Sequence, residues 1–189
     1  MEIRSFLAFE LPSKIRETLS VVSGDARTLP LNARWVPIVN IHLTVVFVGS
    51  VQEDQIGSIG EVARNVCYGH APFRIKLKGA GVFGSRRNPR VLWVGLEGDM
   101  DRMSIFRDDL QKSLAPFGIE EENRPFRPHL TLGRFRKGAK GDPSLDELLL
   151  KYQDLNGPEC LVSELVLFKS DLRSSGAVYT SLGQWLLSG

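Results

Sequence analysis

Two cysteines, three histidines and a formal net charge of only +2 are spread over 189 residues. Cys67 and Cys160 allow one disulfide at most and match no zinc-knuckle spacing, so the chain reads as a reduced, cytoplasmic protein. The histidines lie singly, with no His-x-x-x-His or Asp-x-Asp pattern beside them, and imply no metal or other cofactor. So small a net charge excludes a protein that coats nucleic acid along its whole surface; any anion site has to be local. Long hydrophobic runs are missing too. The longest, such as residues 45–48, fall far short of the roughly 20 apolar residues that span a bilayer. The opening MEIRSFLAFE carries Glu2 and no apolar run ahead of a cleavage site, so neither a signal peptide nor a membrane span is expected.

What is present is an ordinary globular balance, 42% hydrophobic and 24% charged, in a chain long enough to bury a sizeable core. Residues 3–9 read as a buried strand. Pro12 and Ser13 open a helix that carries Ile15, Leu19 and Val22 at helical spacing and ends at Gly24. Residues 34–36 and 41–48 read as strands about a 37–40 turn, and 53–67 as a helix with Ile56, Ile59, Ala63 and Val66 on one face. Phe73, Ile75 and Leu77 alternate with charged residues, the period of a half-exposed strand. Residues 91–96 form another strand, and Asp99 caps a helix through Met103, Phe106, Leu110, Leu114 and Phe117. Strand 129–135, a helix over 145–152 and strands 161–168 and 177–182 complete the pattern. Helices and hairpin-like strand pairs interleave, which predicts an α+β fold of mixed or antiparallel sheets.

Two phosphate-binding motifs present themselves and fail. GAGVFG at 79–84 has the dinucleotide fingerprint, yet Ser85, Arg86, Arg87, Asn88 and Pro89 follow it where a helix has to begin. It reads instead as a glycine-rich turn beside a strand. GRFRKGAK at 133–140 has P-loop glycine spacing, but Ala139 stands in the place of the essential lysine.

What survives is an internal echo: IHLTVVFV at 41–48 and PHLTLGRF at 128–135, with His42 and His129 87 residues apart. On a strand, residues i and i+2 share a face, so each copy projects an imidazole and a threonine hydroxyl together. Two such strands facing across a cleft give a base, an acid and hydroxyl donors around one small volume. That layout suits in-line attack on a phosphodiester: histidine titrates near working pH, and hydroxyls with a guanidinium stabilise charge on non-bridging oxygens. Arg134, five residues beyond His129, is the candidate guanidinium. Cations are concentrated nearby: Arg124, Arg127, Arg134, Arg136, Lys137 and Lys140 lie in one stretch without an acid. Arg136, Lys137 and Lys140 read as a solvated loop, while Arg86, Arg87 and Arg90 form a second basic loop able to touch a polyanion. His70 reads as a surface loop residue without a partner. Phe6, a core residue by its pattern, is also counted among the substrate-binding candidates.

At these residues the chain resembles the two-histidine (2H) phosphoesterase superfamily, marked by paired His-x-Thr/Ser motifs, and within it the RNA 2′,3′-cyclic phosphodiesterases once called 2′-5′ RNA ligases. Arg4-Ser5-Phe6-Leu7-Ala8, Ala33-Arg34-Trp35-Val36, Asn40-Ile41-His42-Leu43-Thr44, Phe47-Val48-Gly49, the run from Arg124 to Arg134, and Tyr179, Leu182 and Trp185 carry the resemblance. It implies one bilobal domain over 1–189, with pseudo-twofold symmetry and the active site between the lobes. It also implies hydrolysis of a terminal 2′,3′-cyclic phosphate to a 2′-phosphate without metal or nucleotide. His42 would be the proton donor and His129 the proton acceptor, with Thr44, Thr131 and Arg134 on the phosphate. The partner implied is RNA with a cyclic phosphate end, with no membrane and no obligate protein partner, the chain acting as a monomer. Many relatives carry a cation four residues after the first motif histidine, where this chain has Val46 on what reads as the same strand face. ATP-dependent ligation is disfavoured by the lack of a Lys-x-Asp-Gly motif; ATP-independent 2′-5′ joining is the reverse of the same reaction. Two other readings are a phosphodiesterase for small cyclic nucleotides and a non-catalytic RNA- or nucleotide-binding module on the same cleft.

Overall fold

The computed structural model describes residues 1–122, 124–174 and 176–189. β1 (Glu2–Phe9) leads through Pro12 into α1 (Ser13–Arg27), whose Ile15, Leu19, Val22 and Ala26 are buried on one face. The helix runs through Gly24, which lies on an open face where a missing side chain costs only propensity. β2 (Ala33–Trp35), a short 3-10 turn at Ile38–Asn40, β3 (Leu43–Gln52) and α2 (Ile56–Tyr68) follow. β4 (Phe73–Gly84) and β5 (Pro89–Gly98) form a long hairpin, succeeded by α3 (Met100–Leu114), β6 (His129–Phe135), α4 (Pro143–Lys151) and β7 (Asn156–Val162). β8 (Glu164–Arg173) and β9 (Gly176–Leu186) close the chain.

All recorded strand pairs are antiparallel, and they make two sheets, ordered β3-β1-β8-β9 and β2-β6-β5-β4-β7. The α+β expectation holds. The halves of the chain are not segregated, however. β2 crosses to the second sheet, and β8–β9 return to the first. α2 and α3 pack on each other and on strands of the first sheet, α1 on β7 and α4 on β4. A main apolar core lies beneath both sheets, and a small separate one (Phe6, Ala8, Val166 and Phe168) lies on the opposite face of the first. His42 packs against that opposite face, its ring stacked on Phe6.

Several local expectations are corrected. GAGVFG is not a turn: it continues β4, and a side chain at Gly81 would stand 2.4 Å from the Trp93 ring, so the glycine makes room for an indole. Asp99 makes no side-chain cap on α3; its carboxylate accepts instead from the Arg74 backbone N–H at 2.8 Å. The run 161–168 is split between β7 and β8 at Ser163. His70 has a partner after all. Its Nε2 lies 3.0 Å from Asp109 Oδ2 on α3, and its ring packs edge-on to Phe106. That contact spans 39 residues and leaves no local trace in sequence.

Candidate active site

His42 sits just before β3 and His129 opens β6. Each ring is held the same way. His42 Nδ1 bonds the Asn40 carbonyl at 2.8 Å, and His129 Nδ1 bonds the Arg127 carbonyl at 2.8 Å. A carbonyl only accepts, so Nδ1 carries the hydrogen and Nε2 is left as the atom that takes or gives a proton. Asn40 is itself anchored, its side-chain amide donating to the Ala177 carbonyl of β9 at 3.0 Å. Phe6 stacks on the His42 ring at 4.6 Å and Tyr179 meets it edge-on at 5.2 Å. Phe83 meets His129 edge-on at 4.7 Å and in turn packs on Trp93. Both imidazoles are thus fixed on two sides, by the backbone and by aromatic rings.

Thr44 and Thr131 follow as the two-residue period demands, with Thr131 opposite Trp93 and His129 opposite Gly95 on β5. Beyond them both strands depart from strict alternation. On β3, Leu7 faces Val46 and Ala8 faces Thr44, leaving Val45 as an extra residue; on β6, Trp93 faces Thr131 and Leu92 faces Gly133, leaving Leu132 extra. A one-residue bulge inverts the facing of all that follows until the next irregularity. The expectation that Val46 shares the His42 face is therefore wrong. Val46 is 4% exposed in the main core, and the cleft position passes to Phe47, opposite Phe6 and 68% exposed. By the same device Arg134, five residues beyond His129, turns into the cleft.

The site is electropositive. His42 has its pKa lowered by burial first and then by the positive charges of Arg134 and His129; that of His129 is lowered by burial and then by Arg134. Arg134 thus disfavours the protonated form of both imidazoles, and His129 that of His42. Tyr179 also feels Arg134 and Arg4, although burial pushes its phenol upward overall. Thr44, Phe47, His129 and Arg134 line a single cleft of about 1730 Å³. Phe6, 5% exposed, stands behind His42 rather than in the open cleft. Among the described residues, no group of three or more His, Cys, Asp or Glu side chains is gathered as a metal ligand set, and no helix is long and apolar enough to cross a membrane. Cys67 and Cys160 are free thiols.

The sequence reading did not count Phe47, Tyr179 or Phe83 among the site candidates, although Phe47 and Tyr179 carry part of the resemblance. The signal for Phe47 was available in the internal echo, which aligns it with Arg134.

The 2′-5′ RNA ligase superfamily model matches residues 16–173. Among curated proteins, the RNA 2′,3′-cyclic phosphodiesterase of Methanothermobacter thermautotrophicus is 33% identical over 96% of this chain and 97% of its own. The protein of the same name from Aquifex aeolicus is 30% identical over 99% and 98%. Among solved structures, a Thermus thermophilus protein superposes with a TM-score of 0.83 at 27% identity, covering 99% of both chains. E. coli LigT complexed with 3′-AMP superposes with a TM-score of 0.77 at 26% identity over 100% of both. A motif pair, a fold and a cleft found first in the chain itself thus agree with a match over most of its length, and the protein belongs to the 2′-5′ RNA ligase superfamily.

Proposed function

We propose that the protein is an RNA 2′,3′-cyclic phosphodiesterase, built as one bilobal domain over residues 1–189, that opens a terminal cyclic phosphate to a 2′-phosphate. The observation that carries this reading is the matched pair of imidazoles, each with Nδ1 tied to a carbonyl and Nε2 without a hydrogen-bond partner among the described residues, both under the positive charge of Arg134. Its superfamily membership and the relatives named for this activity support it.

In the proposed step, His129 Nε2 takes a proton from water as its oxygen attacks phosphorus. The bond from phosphorus to the ribose 3′ oxygen breaks, and His42 Nε2 delivers a proton to that oxygen. The products are a 3′-hydroxyl and a 2′-phosphate, with one proton moved from each side and none lost. Arg134, Thr44 and Thr131 donate hydrogen bonds to the non-bridging oxygens, where the transition state gathers charge. The substrate phosphate offsets the burial that disfavours a proton on His42, so binding readies the acid. With the same roles, a 5′-hydroxyl in place of water would give a 2′-5′ linkage, and exchanged roles would reopen that linkage to the cyclic phosphate and a 5′-hydroxyl.

Phe47 offers its exposed face to the terminal base, while Phe6 acts as a buttress for His42 rather than as a direct contact. An aromatic platform without hydrogen-bonding partners tolerates any base.

The test is an RNA ending in a 2′,3′-cyclic phosphate, incubated in EDTA with the wild type, His42→Ala and His129→Ala. Conversion to a 2′-phosphate, reduced by roughly 10²–10⁴-fold in each variant, is expected from the loss of acid–base catalysis. Undiminished cyclic ends together with tight RNA binding would overturn the enzyme in favour of a binding module.

A further inference from the structure

The cleft is far larger than one nucleotide needs, and its two arms differ in charge. One arm is bordered by Glu120, Glu121 and Glu122, and two of the cations there, Arg107 and Arg124, are already engaged, while Arg127 is exposed and makes no ion pair among the described residues. Arg124 pairs with Glu122, its Nε lying 2.9 Å from Oε1 and its backbone N–H donating to the same oxygen at 3.1 Å. Arg107 is buried, donates to the Glu122 carbonyl and lies beside Asp108. The other arm carries Arg90, Arg136 and Lys137, all exposed and all without an ion pair among the described residues.

Two loops that are remote in sequence build this second arm. The 85–88 turn joins β4 to β5, and the 136–141 segment follows β6. They are tied together by the Gly141 N–H donating to the Arg87 carbonyl at 2.9 Å. Arg90 is an extra residue in β5, because Phe83 faces Val91 and Gly84 faces Pro89. Such a bulge swings its side chain toward that of the next residue, onto the cleft side. Arg136 lies just past the end of β6, its backbone N–H donating to the Asn32 carbonyl at 3.0 Å. Arg86, in the same turn, is directed away and pairs with Asp146 of α4 at 3.0 Å. Unpaired guanidinium and ammonium groups in a row beginning at a phosphate site match a chain of phosphates, and the acidic arm would repel that chain.

We propose that Arg90, Arg136 and Lys137 form a subsite for the phosphates upstream of the reacting end. The substrate is then a polynucleotide whose strand leaves the cleft across the two joined loops, away from Glu120–Glu122. This rests on the proposed cyclic phosphodiesterase reading. It makes these three residues discriminate an RNA end from a cyclic mononucleotide while leaving the chemical step untouched.

The experiment compares kcat/KM on a short RNA with a 2′,3′-cyclic end and on a 2′,3′-cyclic mononucleotide, for the wild type, the Arg90→Ala/Arg136→Ala/Lys137→Ala variant and Arg86→Ala. The triple variant is expected to lose roughly 10- to 100-fold on the RNA at low salt, with a salt slope shallower by about two, since each phosphate contact on a single strand contributes about 0.7. The mononucleotide rate stays within about twofold, and Arg86→Ala matches the wild type on both. Equal losses on both substrates, or none on either, would overturn the subsite. Should the wild type hydrolyse neither, the enzyme reading fails, and the subsite is then judged by fluorescence anisotropy with the same RNA. Weaker binding by the triple variant alone upholds it, and unchanged binding removes it.

Discussion

Phe47 and Arg134 occupy equivalent places on two strands, each five residues after a histidine and each turned into the cleft by one extra residue, Val45 or Leu132. On an unbroken strand, five residues is an odd step and lands on the wrong face. The two copies share the backbone device and differ in what they deliver. One strand presents a guanidinium to the cleft, the other an aromatic ring.

Replacing Phe47 by Ala is therefore expected to lower kcat/KM by roughly 5- to 150-fold, the range that one base stacked on an aromatic contributes. Phe47→Trp retains most of the activity. Circular dichroism should be unchanged in both, because the ring is mostly exposed. Wild-type kinetics in Phe47→Ala would remove the ring from substrate binding.

The pH profile of kcat/KM tests the electrostatics. Burial, helped by Arg134, holds both imidazoles below the ordinary histidine range, so the profile is expected to peak on the acid side of about 6.5. Arg134→Gln removes a positive neighbour of both rings. It should cost activity and also move the whole profile toward higher pH. A slower variant with an unmoved profile would mean that Arg134 acts on the phosphate alone. Stability follows the same sign. Each folded imidazole binds a proton less readily than the unfolded one, so stability is full above about 6.5 and declines as pH falls below it.

Gly81→Ala probes the support behind His129. The new methyl group meets the Trp93 indole, which packs on Phe83 at 5.4 Å, which meets His129 at 4.7 Å. Overpacking of this kind typically costs about 1–3 kcal/mol of stability. Here it should also lower kcat more than it raises KM, because it tilts a proton-transferring ring. The double variant Gly81→Ala/Trp93→Phe frees the space and should recover part of both losses. Failure to recover either would show that the indole is not the link.

Local pattern made much of this fold readable. α1, α2 and α3 follow from apolar spacing, and β1 and β6 appear close to their observed limits because short apolar runs lie between clear breakers. The histidine pair was legible because the same polar pair occurs twice, which packing alone does not require. Facing beyond the threonines was not. A bulge is a statement about two strands, and only the pairing of β1 with β3 and of β5 with β6 reveals it. For the same reason Val46 looked like a missing cation, and Phe47 was read as part of the resemblance without a place in the cleft. GAGVFG looked like a glycine-rich turn because the partner of Gly81, Trp93, lies on the neighbouring strand. Asp109 answers His70 from another helix, out of reach of any short window.

The return of β8 and β9 to the first sheet has a bearing on when activity can arise. Phe168 and Tyr179, which enclose His42 together with Phe6, belong to those last two strands, and Asn40 is anchored to the Ala177 carbonyl. A nascent chain halted before residue 164 can contain both histidines and still lack the wall that orients the first. The final hairpin thus completes the surround of the first histidine, and a chain without it is expected to lose the orientation of that ring.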